Sequence, residues 1–199
     1  MVNENKRVVV VHQRRRVFDD YFKVDEAKVT FSKLGDDGQF VRDARFLVFE
    51  RGDAAAALLH DADRGVVILT EQFRFPTYQK ATGWMIEPIA GMINAGETPE
   101  QCIRREVMEE VGYRVGNLDV IATFFVSPGG SSERIFLYYA SVGTADLVAP
   151  DASGIENHQE NVQRVEMDAD EFTARAVRGE FDDAKMLIAG LWMAARRKM

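Results

Sequence analysis

Residues 91–113, GMINAGETPEQCIRREVMEEVGY, constrain this chain more than any other stretch. Glu106, Glu109 and Glu110 stand at i, i+3 and i+4, a spacing that puts three carboxylates on one face of a helix. The ends of that helix are readable. Thr98 suits the N-cap, Pro99 the first helical position, and Gln101 completes a capping box with Thr98. Gly112 can carry the chain out in a left-handed conformation. Ile103, Val107 and Val111 repeat every four residues and predict a buried stripe on the far side. One face is therefore anchored in a core while the other gathers negative charge.

Such gathering costs free energy. Two carboxylates about 6 Å apart repel by roughly 3 kcal/mol at an effective dielectric of about 20. Arg105 offsets part of this, and a hard divalent cation would offset more. Ligands that are all oxygen suit Mg²⁺ or Mn²⁺ rather than Zn²⁺. The plain alternative for any three glutamates is a solvated acidic face. Here, however, Gly91, Glu97, Arg105, Glu106, Val107, Glu109, Glu110, Gly112 and Tyr113 match the pattern Gly-x5-Glu-x7-Arg-Glu-apolar-x-Glu-Glu-x-Gly-apolar without departure. The stretch resembles the Nudix box. At average composition, a chance match in a chain this long has odds on the order of one in ten million.

With 199 residues the chain suits one domain with an extension, or two small ones. Its net charge of −7 and the lack of any Lys/Arg run longer than Arg14–Arg16 make nucleic acid and anionic membranes poor partners. One cysteine, Cys102, cannot form an intrachain disulfide, which agrees with a reducing, cytoplasmic setting. No apolar run is long enough for a membrane span, and no signal-peptide pattern opens the sequence.

Residues 1–52 are expected to form an N-terminal antiparallel β-sheet of three strands, Lys6–Phe18, Tyr21–Ser32 and Phe40–Glu50. Such a sheet is small for independent stability and is expected to pack on the rest of the chain or on a second subunit. The Arg14–Arg16 run is either an anion patch or a charged edge strand. Residues 53–199 form the second expected domain. Ala54–Leu59 and Gly65–Phe73 read as a hairpin, and Trp84–Ile89 as one strand leading into Gly91. Strands Leu118–Val126 and Arg134–Ala140 flank a turn at Ser127–Gly130, and Val162–Met167 follows a polar loop over 149–161. Ala169–Arg178 and Asp183–Lys198 read as helices, the last burying Met186, Leu187, Leu191 and Trp192. The whole is an α+β fold. The resemblance implies a Nudix α/β/α sandwich with the small antiparallel sheet added at the N-terminus.

By resemblance, the chain is a Mg²⁺-dependent enzyme, with Mn²⁺ as a substitute, that hydrolyses the pyrophosphate bond of a nucleoside diphosphate sugar. Glu106 and Glu110 would ligate the metal with the carbonyl of Ala90, and Glu109 would be a ligand or orient the water. Arg105 would pair with Glu97 to brace the loop–helix–loop that Gly91 and Gly112 bound. Glu71–Arg74, Ser127–Arg134 and Gly179–Lys185 look like ADP-ribose pyrophosphatases and their GDP-mannose-hydrolysing relatives. Pro128, 16 residues after Gly112, matches that branch. Arg74 would then bind the diphosphate or terminal sugar, Glu133 a ribose hydroxyl, and Met92 would line the nucleotide pocket. Tyr21 is either a platform for the partner's base, in a homodimer that exchanges its N-terminal sheet, or a core tyrosine. The loop Glu156-Asn157-His158-Gln159-Glu160 falls where the branch carries an acidic ligand or base. Glu160 matches by position, but His158 stands where a second carboxylate is usual, so Glu160, Glu109 and His158 all stay open as the base. Glu87 is expected to support the box from outside. ADP-ribose, giving AMP and ribose 5-phosphate, is the first substrate expected, with GDP-mannose or UDP-glucose as alternatives. A nucleotide-sugar-binding sensor without turnover and action on capped or other RNA are the remaining alternatives; the complete set Glu106, Glu109 and Glu110 argues against the first, and the net charge of −7 without a basic stripe against the second.

Overall fold

A computed structural model describes residues 7–35, 38–151 and 161–196. The chain divides into two units, Met1–Gly52 with Phe125–Glu133, and Asp53–Phe124 with Arg134–Met199.

The first unit is built on an antiparallel sheet in the order β1 (Val9–Asp19), β2 (Lys23–Ser32), β3 (Phe40–Glu50). Side chains alternate along β2, so Asp25 and Glu26 point to opposite faces. Asp25 is buried against Arg14 and Arg16, and Glu26 against Arg15 and Arg45. All three residues of the arginine run are thus paired across the sheet, and β1 is a charged edge strand. The turn after Val126 joins this unit through β3. Phe49 donates its N–H to the Gly130 carbonyl at 2.8 Å, and its own carbonyl accepts from Ser132 at 3.2 Å.

The second unit holds a mixed sheet in the order β10-β5-β4-β9-β8, with two short strands added. Its members are β4 (Ala54–Asp61), β5 (Val66–Phe73), β6 (Trp84–Glu87), β7 (Ile89–Met92), β8 (Asp119–Phe125), β9 (Arg134–Val142) and β10 (Val162–Asp168). β4 and β5 form the expected hairpin, and β4 runs parallel to β9 from Ala54↔Ile135 to Asp61↔Val142. β4 is buried along nearly its whole length, as a strand covered on both faces must be. Ala55, Ala57 and Leu59 face one layer, where Ile103, Val107 and Val111 of α2 (Pro99–Val111) pack with Ile89 and Tyr113. Ala54, Ala56 and Leu58 face the other, against Phe172 of α3 (Ala169–Arg178) and Met186, Ala189 and Met193 of α4 (Ala184–Arg196). The strand's alanines set helix layers on both faces, giving an α/β/α sandwich. Among the described residues no helix is long and apolar enough to cross a membrane.

Two local expectations are corrected. The span Trp84–Ile89 is not one strand. Pro88 lacks an N–H and interrupts it, so β6 pairs with β5 while β7 turns to β4. The buried stripe of α4 is Met186, Ala189, Gly190 and Met193, whereas Leu191 is 45% exposed and Leu187 and Trp192 are half-buried. The reason is Gly190. A methyl group built there would collide with the Ala176 side chain, so α3 and α4 touch along their small residues and the large ones turn outward. A four-residue helix, α1 (Phe75–Tyr78), was not anticipated; Pro76 stands in its first turn.

Candidate active site

The site is assembled where β7 runs under α2. The helix has the expected ends. Thr98 Oγ1 accepts from the Gln101 N–H at 3.2 Å, Gln101 Oε1 accepts from the Thr98 N–H at 2.8 Å, and Gly112 is left-handed at φ 75°. Packing of Ile103, Val107 and Val111 against β4 then fixes the rotation of α2, with Glu106 brought against Gly91 of β7, Glu109 exposed and Glu110 buried. A side chain at Gly91 would fall inside the Glu106 carboxylate, so only glycine lets strand and glutamate approach this closely. Cys102 adds a tie, its thiol donating to the Met92 carbonyl at 3.3 Å. Burial, with Glu106 and Glu97 nearby, pushes that thiol up to about 11, so it stays protonated.

Arg105 organises the carboxylates. Nε donates to Glu97 Oε1 at 3.0 Å and Nη2 to Glu97 Oε2 at 3.1 Å, a two-point clamp of the expected pair. Nη1 donates to Glu106 Oε1 at 2.7 Å and to Glu109 Oε2 at 3.1 Å, and Nη2 also reaches the Met92 carbonyl at 3.3 Å. Glu97 in turn accepts from the Asn94 N–H at 2.9 Å. The Arg105 hydrogen bond, then that of Asn94, hold the Glu97 carboxyl below its usual range, and the same bond to Glu97 raises Arg105. Glu110 is 8% exposed, deeper than an acidic surface face allows.

The donor set fits a hard divalent cation. One guanidinium faces three carboxylates, Glu97, Glu106 and Glu109, so the surface keeps an excess of negative oxygen. The Ala90 carbonyl precedes Gly91 in β7, opposite Ala56. Among the described residues no three His, Cys, Asp or Glu side chains already form a closed ligand cluster. Arg105 keeps Glu106 and Glu109 on its own Nη1 instead.

A second charged group lies in the same unit. Arg74 opens α1, and its Nε donates to Glu87 Oε2 at 2.7 Å. Lys185 Nζ donates to Glu87 Oε1 at 3.1 Å and to Asp183 Oδ2 at 2.5 Å. Burial works to raise the Glu87 carboxyl, but Lys185 and Arg74 outweigh it and hold the group below the usual 4.5. Burial likewise works to lower Lys185, and Asp183 and Glu87 outweigh it and raise the ammonium above 10.5. Lys185 and Asp183 had no assigned role in the sequence. They lie in the quoted stretch Gly179–Lys185, and the capping position of Asp183 was the available signal.

The remaining expected residues divide as follows. Met92 packs its side chain against the α3–α4 side of the core while its carbonyl faces Arg105 and Cys102. Tyr21, Pro128 and Glu133 belong to the first unit. Tyr21 is 85% exposed, with its ring 4.8 Å from that of Phe22, so it is not a core tyrosine. Phe22 packs on Phe49, and Arg51, which the sequence reading did not single out, lies over Phe22 and 3.5 Å from Glu133. Glu160 and His158 lie outside the described residues.

The NUDIX domain model matches residues 50–188. A GDP-mannose pyrophosphatase of Yersinia pestis (strain Pestoides F) is 35% identical over 171 residues, covering 85% of this chain and 83% of its own. One from Yersinia enterocolitica serotype O:8 / biotype 1B is 36% identical over 85% of this chain and 86% of its own. One from Pectobacterium atrosepticum is 36% identical over 81% and 82%. The match runs through the acidic helix, the strands beneath it and the α3–α4 layer, and the chain belongs to the Nudix family.

Proposed function

We propose that this Nudix hydrolase cleaves the pyrophosphate bond of a nucleoside diphosphate sugar, with GDP-mannose as its first substrate and GMP and mannose 1-phosphate as products. The observation that carries this reading is likeness along more than four fifths of the chain to proteins named GDP-mannose pyrophosphatase. That likeness moves GDP-mannose ahead of ADP-ribose. ADP-ribose is kept as the second reading, because Glu71–Arg74, Ser127–Arg134 and Gly179–Lys185 resemble ADP-ribose pyrophosphatases as well.

Family members use a divalent cation, and we assign Mg²⁺, with Mn²⁺ as a substitute. Glu106, Glu110 and the Ala90 carbonyl would hold it, with Glu109 and Glu160 as further ligands. Bound there, it would supply positive charge against the diphosphate and a lower pKa for the attacking water. Glu109 or Glu160 takes the proton from that water as it attacks phosphorus, with His158 the third candidate. Arg105, clamped by Glu97, holds Glu106 and Glu109 in register. Arg74 binds the diphosphate or the terminal sugar, and guanidinium geometry suits phosphoryl oxygens. Met92 lines the nucleotide pocket, Glu133 binds a ribose hydroxyl, and Tyr21, which has the exposed ring a base platform needs, reaches the base bound by the partner subunit. A homodimer agrees with the exposed apolar residues of the N-terminal sheet, among them Val9, Val11 and Phe18.

The test is incubation with Mg²⁺ and, separately, GDP-mannose, ADP-ribose and UDP-glucose, with products resolved by ion-exchange chromatography. The expected result is GMP and mannose 1-phosphate at the highest kcat/KM. Higher kcat/KM on ADP-ribose selects the second reading, and no cleavage of any of the three overturns both.

A further inference from the structure

Three elements meet at the Glu87 carboxylate: the end of β6, the start of α1 and the first turn of α4. Glu87 Oε2 accepts from Arg74 Nε, and Oε1 accepts from Lys185 Nζ. Lys185 is held in turn by Asp183, whose Oδ1 accepts the Met186 N–H at 2.9 Å and so caps α4. Glu87 and Lys185 are nearly buried, whereas Arg74 is 40% exposed.

The pattern of bonds matters more than their number. A carboxylate beside an arginine tends to pair fork to fork, taking two guanidinium donors with its two oxygens. Here Lys185 bonds one oxygen of Glu87 and Arg74 bonds the other through Nε alone, so the contact with Arg74 is a single one. Among the described residues Nη1 and Nη2, the outer edge of the guanidinium, make no hydrogen bond, and the Arg74 side chain is 40% exposed while its Nε is held by Glu87. A flexible arginine must be ordered when its ligand binds, and one fixed in advance avoids that loss.

We propose that Glu87 is a positioning residue that presents the outer edge of Arg74 to the phosphoryl oxygens of the substrate, with Lys185 and Asp183 tying Glu87 to the start of α4. The proposal rests on the assignment of Arg74 to substrate made above. It makes the N-terminus of α4 part of the binding apparatus, although α4 itself packs on the core.

Two measurements test it. In kinetics, Glu87→Gln raises KM for the best nucleotide sugar about tenfold and leaves kcat within about threefold, the scale of a partner standing behind a ligand. In an Arg74→Ala background the same change alters kcat/KM less than about twofold, because the group it positions is gone. An equal tenfold loss in both backgrounds overturns the proposal. The second readout needs no turnover. In ¹⁵N NMR the Arg74 Nε–H signal, identified by its absence in Arg74→Ala, exchanges slowly in the wild type and is lost in Glu87→Gln. Should Glu87→Gln fail to fold, Glu87→Asp takes its place in both measurements, since its carboxylate is one methylene short of Arg74. A signal that persists in the variant overturns the proposal. If the wild type cleaves no nucleotide sugar, the functional reading fails alone and the NMR result still decides this one.

Discussion

At the scale of the residue, Gly91 separates the demands of folding from those of the site. Its Cβ position is filled by the Glu106 carboxylate, the far end of a flexible side chain rather than backbone. Gly91→Ala should therefore cost little stability, about 1 kcal/mol for the disturbed Arg105–Glu106 pair, which is partly exposed. The carboxylate must swing away, however, so activity should fall roughly 10- to 100-fold with a matching rise in the Mg²⁺ concentration needed. Thermal melts and Mg²⁺ titrations of activity check the two halves; wild-type activity would show that Glu106 is not where the chemistry needs it. The acidic residues were legible in the sequence because helix spacing alone puts them together. The Arg74–Glu87–Lys185 group was not. Glu87 and Lys185 are 98 residues apart, and no local rule of spacing joins them.

At the scale of the element, what could be read was where helices and strands lie, and what could not was how closely they approach. Capping at Thr98 and Gly112 made the ends of α2 readable, and the apolar runs gave β4 and β5. The break at Pro88 could have been read from its missing N–H, but the pairing of β7 with β4 depends on a strand more than 30 residues earlier. In α4, hydrophobicity pointed to Leu191, while shape selected Gly190. Gly190→Ala tests that choice. Alanine gains about 1 kcal/mol of helix propensity, but overpacking against Ala176 costs about 1–3 kcal/mol, so the net change should be destabilising. Adding Ala176→Gly makes room again. The double variant should be more stable than the sum of the single changes predicts, by about 1 kcal/mol, in urea melts followed through Trp192 on the same helix. Strict additivity would mean that the two helices are not in contact at this point.

At the scale of the whole molecule, ion binding and unfolding are linked. The carboxylates of the site belong to the unit formed by Asp53–Phe124 and Arg134–Met199. The protein's two tryptophans, Trp84 and Trp192, lie in that unit as well, so tryptophan fluorescence follows its melting. An ion that binds only the folded site at one hundred times its Kd stabilises it by about 2.7 kcal/mol. At about 2–4 °C per kcal/mol, that corresponds to a rise in Tm of roughly 5–11 °C, which a chelator should reverse. Glu110→Gln keeps the volume of the buried side chain and removes the charge that the ion requires. The variant should fold, lose the Mg²⁺-dependent rise in Tm, and lose more than the roughly hundredfold in kcat expected for a group one step behind a ligand. Both halves are needed. Lost activity with the Tm rise intact would move Glu110 from holding the ion to handling the proton, and a Tm that ignores Mg²⁺ in the wild type would remove the cation from the site altogether.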